Sequence, residues 1–214
     1  MSKVKTIEQL RTVGILPVIR AASADEAFQL IEHIVAGGIN VIEITMTVPG
    51  AVELIAKVVK TFDALIGAGT VLNAGDALRC IDAGAQFIVS PALNFETIEL
   101  CSKLGIAVLP GALTPTEVVN AWNAGADVVK VFPAGAMGGA SYLRSLKAPL
   151  PHVKMIPTGG VTLSTAADFI RAGAEAVGVG ADLANVNALH NGNPEIIMET
   201  AGKYLEIVAS ARAK

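Results

Sequence analysis

Aromatic residues make up only 4% of the 214 positions, so valine, isoleucine, leucine and alanine must fill any core. Charged residues reach only 16%, the net charge is −3, and basic residues form no run. That excludes a nucleic-acid groove or a polybasic membrane patch as the main working surface. No stretch approaches the roughly 18 uninterrupted apolar residues of a membrane span. The polar opening MSKVKTIEQL has no hydrophobic secretory segment, so the cytoplasm is the expected compartment. The two cysteines, Cys80 and Cys101, have no cysteine or histidine at metal-ligand spacing and read as reduced structural thiols. His33, His152 and His190 stand apart from other ligands, and no HxH or HExxH occurs, so neither a metal nor a catalytic histidine is expected. Trp122 reads as a packing or interface residue.

Hydrophobic residues, in contrast, reach 52%. Burying that much apolar surface outweighs the entropy of ordering the chain, which excludes disorder. The apolar residues fall in short runs at 14–20, 40–46, 64–71, 86–92, 106–112, 127–134, 154–160 and 176–183. These eight candidate strands start about 20 to 27 residues apart, the length of a strand, a loop and a crossover helix. Runs apolar at nearly every position belong to a parallel sheet buried on both faces.

The segments between them carry helix punctuation. Ser23, Asn73, Asn94, Thr114 and Thr162 stand where N-caps belong, and Pro115 suits a first helical turn. Gly37-Gly38, Gly84, Gly105, Gly125 and Gly173 stand where helices stop. Ala-Gly-(Gly/Ala) recurs at 36–38, 83–85, 124–126 and 172–174, an internal repeat. The pattern predicts one α/β domain over 1–214, a (β/α)8 TIM barrel. An extra N-terminal helix over 2–13 should lie under its floor, and a long last helix should span 194–212. An open doubly wound sheet is the alternative, but neither GxGxxG after the first strand nor GxxxxGK[ST] is present.

Active sites of parallel barrels lie at the C-terminal ends of the strands. Two charged residues interrupt apolar strands outright. Glu43 is centred in Val-Ile-Glu-Ile-Thr, and Lys130 in Val-Val-Lys-Val-Phe-Pro. Alternation puts Val128, Lys130 and Phe132 on one face, and a lysine on the helix-covered face would have no water, so that face is the barrel axis. Burial penalises the charged form of either group, which suits a proton-transferring carboxyl and a nucleophilic amine. A structural Lys–Glu pair across the barrel is the alternative, and the two are compatible.

Thr45, Thr47, Thr70, Pro91 and Thr158 stand at or near strand ends. Arg20 ends the first strand, where its guanidinium fork can take a carboxylate or phosphate. Pro157-Thr158-Gly159-Gly160-Val161 closes the seventh strand and Gly178-Val179-Gly180 the eighth. Backbone amides exposed at these two loops form the usual phosphate site of a barrel, with the helix after each loop adding its dipole.

The ordered motifs VIEIT, GAGTV, SPA, KVFPA and PTGGV closely resemble those of the 2-keto-3-deoxy-6-phosphogluconate (KDPG) / 4-hydroxy-2-oxoglutarate (KHG) aldolases, from about Ile7 to Ala209. The resemblance implies a class I, metal-independent aldolase without a cofactor, generally a homotrimer, acting on a small 2-keto acid with pyruvate as one product. By motif, Lys130 resembles the Schiff-base lysine and Glu43 the proton shuttle. Thr70 and Pro91 resemble the lining of the pyruvate pocket, and Phe132 the aromatic beside the lysine. Gly159, Gly160 and Gly180 resemble the phosphate-binding backbone, and Arg20 an arginine that some members use near an anionic group of the substrate.

Two positions depart from the common pattern. Thr47 stands where many members have arginine, so Arg20 or backbone must orient the carboxylate. Ala181, followed by Asp182, stands where many have serine. A non-phosphorylated or epimeric 2-keto acid therefore stays open as the substrate. Beyond the resemblance, a different phosphate-binding barrel enzyme, or a barrel that binds a sugar phosphate without turnover, are the competing readings.

Overall fold

A computed structural model describes residues 2–213. Nine short strands are present: β1 (Ile15–Ile19), β2 (Val41–Thr45), β3 (Leu65–Gly69), β4 (Phe87–Val89), β5 (Ala107–Leu109), β6 (Gly111–Ala112), β7 (Val129–Val131), β8 (Met155–Pro157) and β9 (Val177–Val179). β5 and β6 are two halves of one barrel strand. They are split at Pro110, which has no N–H to give a ladder, although its carbonyl still accepts from Lys130 N–H at 2.9 Å. All pairings are parallel, in the orders β5-β4-β3-β2-β1-β9 and β6-β7-β8. A bridge between Thr158 and Gly178 joins β8 to β9, backed by Glu175 N–H to the Met155 carbonyl at 3.0 Å. The sheet therefore closes as the eight-stranded barrel that the sequence spacing predicts.

Alternation along each strand creates two cores. Ile15, Ile19, Ile42, Ile44 and Ile66 face outward against the helices. Leu16, Val41, Leu65, Phe87, Ala107, Val128, Ile156 and Ala176 face inward and fill the lower barrel. Leu10 of α1 (Lys3–Val13) completes that inner cluster, so the extra helix plugs the floor as expected. Phe87 is the large ring there, and a Cβ at Gly67 on the neighbouring strand would overlap it. Glycine at 67 is thus a matter of volume.

The helices follow their punctuation. Ser23, Asn73, Asn94 and Thr114 each accept a backbone N–H from the first turn of α2 (Ala24–Ala36), α4 (Ala74–Asp82), α5 (Phe95–Leu104) and α6 (Pro115–Asn123), and Thr114 with Glu117 forms a full capping box. Gly38, Gly84, Gly105, Gly125 and Gly173 all have positive φ beyond their helices. α3 (Ala51–Thr61) and α7 (Ala140–Lys147) complete the outer ring up to β8.

One expected cap fails. α8 is only Ala166–Arg171 and starts after Thr165, not after Thr162. Thr162 instead joins a hydroxyl cluster, 2.9 Å from Ser164 Oγ and 3.2 Å from Thr165 Oγ1, which holds residues 162–165 as a turn. A 3-10 turn at Gly135–Met137 and α9 (Val186–His190) are too short to leave a periodic signal. α10 (Glu195–Arg212) ends with Arg212 donating to the Thr12 and Glu175 carbonyls at 2.9 and 2.8 Å, which fastens the last helix to the floor.

Cys80 and Cys101 are buried, free thiols, and burial pushes their pKa values up to about 11 and about 12. A raised thiol pKa means the folded state keeps a proton that the unfolded chain loses above about pH 8.5. Stability should therefore fall from about pH 8.5, through about pH 11 for Cys80 and about pH 12 for Cys101. Thermal melting across that range should show a smaller loss in Cys80→Ala and Cys101→Ala than in the parent chain. At pH 8, both native thiols should react with a disulfide reagent only as fast as the protein opens.

Candidate active site

β2 places Glu43 on the axial face, level with Gly67 of β3 and Val18 of β1. β7 places Lys130 on the same axis, level with Gly111 and Ile156. Lys130 Nζ lies 3.4 Å from Glu43 Oε1, with side-chain exposures of 4% and 0%. The distance is long for a hydrogen bond, and Glu43 Oε2 has no hydrogen-bond partner among the described residues. An unpaired buried carboxyl oxygen is costly. The free oxygen can accept a hydrogen bond or a proton from a group that enters the barrel.

Glycines on the surrounding strands make room for Glu43 and its neighbours. A Cβ at Gly69 would overlap the Glu43 carboxyl, and one at Gly111 would overlap the Pro91 backbone. A Cβ at Gly178 would overlap Thr158 Oγ1, a second buried polar atom with no partner. Thr158 N–H is tied to the Val131 carbonyl at 2.9 Å, so its hydroxyl is fixed at the rim beside the lysine strand.

Directly after Gly69, Thr70 has φ +57°. A β-branched residue there is strained by about 1–3 kcal/mol, and such strain concentrates where a backbone must be aimed. Thr45, at the end of β2, is fully buried, and Thr47, in the turn after it, is exposed. Thr45 Oγ1 donates to the Ile19 carbonyl at 2.8 Å and lies 2.6 Å from Thr47 Oγ1.

A cleft of about 540 Å³ opens beside this centre, between the loops after β8 and β9. Arg20, Phe132, Thr158, Gly159, Gly160, Gly180 and Ala181 line it, so the structure gathers these sequence-predicted residues at one mouth. Phe132 joins cleft and centre, because Lys130 Nζ stands 5.6 Å from its ring centroid. Arg20 is exposed and has no acidic partner among the described residues. Its Nη1 would lie 3.9 Å from a Cβ at Gly180, so its charge covers the loop after β9.

Asp182 also borders the cleft, but one carboxyl oxygen accepts from both Tyr204 Oη and Leu163 N–H, the latter at 3.3 Å. Burial, and then this carboxylate, hold the Tyr204 phenol above its ordinary pKa. The Tyr204 anchor comes from α10 and has no local sequence signal. The helix dipoles expected after the β8 and β9 loops are small, because α8 and α9 are short, and the nearby hydroxyls are engaged, because Thr162 and Ser164 bond to one another.

His190 pairs with Glu26 at 2.5 Å, and His152 lies edge-on to Trp122 at 6.2 Å between centroids. No group of three or more metal-ligating side chains occurs among the described residues. A cavity of about 630 Å³ lies between the turn after β2 (Met46, Val48, Pro49), the start of α3 and the end of α4, and neither Lys130 nor Glu43 lines it.

The chain as a whole is similar to known proteins. The profile of the family described as "KDPG and KHG aldolase" matches residues 6–200. A 2-dehydro-3-deoxy-phosphogluconate aldolase of Treponema pallidum is 36% identical over 164 residues, covering 76% of this chain and 78% of that protein. The KHG/KDPG aldolase of Escherichia coli strain K12 is 31% identical over 201 residues, covering 93% and 94%. A KDPG aldolase from Legionella pneumophila, solved with pyruvate captured as a covalent carbinolamine, superposes with a TM-score of 0.85 at 31% identity, covering 92% of this chain and 96% of that one.

The hollow around Glu43 generates a test. Gly69→Ala places a methyl where the carboxyl now lies, and overpacking of this kind costs about 1–3 kcal/mol. Urea unfolding should show that loss with an unchanged m-value. Gly75→Ala, in exposed surroundings on α4 with only Asn73 Oδ1 nearby, should leave stability equal or slightly raised.

Proposed function

The chain belongs to the KDPG and KHG aldolase family, and on that premise we propose that it is a class I pyruvate aldolase with Lys130 as its nucleophile and Glu43 as its proton carrier. The observation that carries this reading is the buried Lys130–Glu43 pair, with Nζ 3.4 Å from Oε1 and Oε2 free. The principal substrate is 2-dehydro-3-deoxy-6-phosphogluconate, cleaved to pyruvate and glyceraldehyde 3-phosphate. 4-Hydroxy-2-oxoglutarate, giving pyruvate and glyoxylate, is the secondary one.

Each step uses groups already in contact. Lys130 passes a proton to Glu43 and attacks the C2 carbonyl as a neutral amine, giving a carbinolamine. Glu43 returns the proton as water leaves, which produces an iminium. Glu43 then accepts the C4 hydroxyl proton while the C3–C4 bond breaks and its electron pair flows into the iminium as an enamine. The aldehyde departs. C3 of the enamine takes that proton from Glu43, and water then hydrolyses the iminium to release pyruvate and the free lysine. The iminium nitrogen is the electron sink, so this reading uses no metal and no cofactor. Phe132 shields the adduct from bulk water. Backbone beside Thr70 and Pro91 receives the C1 carboxylate, while Arg20 and the amides of Gly159, Gly160, Gly180 and Ala181 receive the distal phosphate.

The assembly is a homotrimer in this reading, and the compartment is the cytoplasm. Leu72, Leu78 and Phe95 support an interface, being 58%, 42% and 59% exposed in the single chain.

Two experiments test the chemistry. Borohydride with pyruvate should attach a reduced three-carbon adduct to Lys130. Lys130→Arg should lose both the adduct and turnover, because a guanidinium stays protonated. Glu43→Gln should lower kcat by about 10² or more while some trapping persists. Normal turnover in either variant overturns the assignment. For the distal anion, kcat/KM should be higher for the phosphorylated substrate than for 4-hydroxy-2-oxoglutarate, and inorganic phosphate should compete. Ala181→Ser should lower KM for the phosphorylated substrate a few-fold, the effect of one neutral hydrogen bond of about 0.5–1.5 kcal/mol.

A further inference from the structure

A second cavity, of about 210 Å³, opens beside Arg20. Its walls are Val18 and Arg20, Ala181 from the loop after β9, and Asn185 and Asn187 from α9. It shares Arg20 and Ala181 with the 540 Å³ cleft but touches neither Gly159 nor Gly160. The two spaces therefore meet at Arg20 and Ala181. Val18 is level with Glu43 on the neighbouring strand, so the inner end of the smaller cavity reaches the layer of that carboxyl.

The polar groups of this cavity are not equally occupied. The Asn185 carboxamide oxygen accepts from Ala188 N–H at 3.2 Å and is spent as the cap of α9. The Asn187 carboxamide has no hydrogen-bond partner among the described residues, and Asn187 is exposed. α9 is five residues long, so it offers this side chain and no useful dipole.

One carboxyl fixes both walls. Glu26 of α2 accepts from Ala22 N–H at 2.9 Å, two residues beyond Arg20, and its other oxygen lies 2.5 Å from Nε2 of His190, the last residue of α9. Ser23 already caps α2 through Glu26 N–H at 3.2 Å. The Glu26 side chain is thus free to tie the loop after β1 to α9.

We infer that α9 is a second wall of the distal-anion site, on which Asn187 is a specificity-determining residue that donates to the phosphate of the aldehyde half, and that the Glu26–His190 bond positions it there. The inference rests on the aldolase reading above. A phosphate held against Arg20 and the Ala181 amide borders both spaces. The glycine amides meet it from the cleft, and the Asn187 carboxamide meets it from the smaller cavity. A carboxamide suits that place because it donates without bringing a charge. An aspartate there would claim the Arg20 guanidinium for itself.

Condensation of pyruvate with glyceraldehyde 3-phosphate and with glyceraldehyde isolates the contact. The parent enzyme should favour the phosphorylated aldehyde in kcat/KM. Asn187→Ala should lower that preference about 10-fold through KM, the scale of one hydrogen bond to a charged group. Asn187→Asp should lower it further, and added salt should shrink the difference between the two variants. His190→Ala unties α9 while leaving the Ser23 cap intact, and should lower the preference a few-fold. His190→Gln keeps an N–H donor for Glu26 and should return the parental value. A loss of stability alone would slow both aldehydes together and leave the preference unchanged. Pyruvate trapping on Lys130 is measured alongside, and its absence in the parent overturns the aldolase reading. Trapping with an unchanged preference in Asn187→Ala and Asn187→Asp overturns the Asn187 contact. An unchanged preference in His190→Ala overturns the positioning role of the Glu26–His190 bond.

Discussion

The structure turns on the burial of one amine and one carboxyl, side by side, inside a barrel that is largely hydrocarbon. Taking two such groups from water costs several kcal/mol each, and mutual attraction recovers that only with good geometry and full hydrogen bonding. Lys130 and Glu43 have neither, since their contact is 3.4 Å and one carboxyl oxygen is free. The rest of the fold must therefore supply the stability that this centre consumes. Two continuous aliphatic cores, one inside the strands and one outside, do so.

The inner core also dictates where glycine is tolerated. Low in the barrel, Gly67 yields its volume to Phe87. One layer higher, Gly69 yields to Glu43, and Gly178 yields to Thr158. The same residue type therefore serves packing at the floor and chemistry at the rim, and the difference lies only in which neighbour fills the vacated space. Positions such as 69 and 111 resist substitution without contributing a single functional atom.

The architecture was legible because its signals are local. Eight apolar runs, four working N-caps and five glycine stops each act within a few residues, and each appears where expected. Lys130 and Glu43 were legible for the opposite reason, since they contradict their immediate surroundings. What stayed hidden depends on distant partners. Nothing near Asp182 in sequence announces Tyr204, and nothing near Thr45 announces the Ile19 carbonyl that accepts its proton. Thr162 looked like a cap because it precedes an amphipathic run. Ser164 and Thr165 then offered it nearer partners, and the helix began later. Pro110 splits a strand without ending it, because its carbonyl still reaches Lys130.

The Leu10 plug beneath the barrel has a kinetic meaning. With α1 closing the floor, the reaction chamber is a blind well with one opening. Pyruvate remains covalently attached at the bottom of that well when the carbon–carbon bond breaks, while the aldehyde is formed above it. The upper product has to clear the opening before the lower one can pass. On the aldolase reading the covalent link to lysine already makes the aldehyde the first product to leave, and the sealed floor leaves the rim as the way out for both.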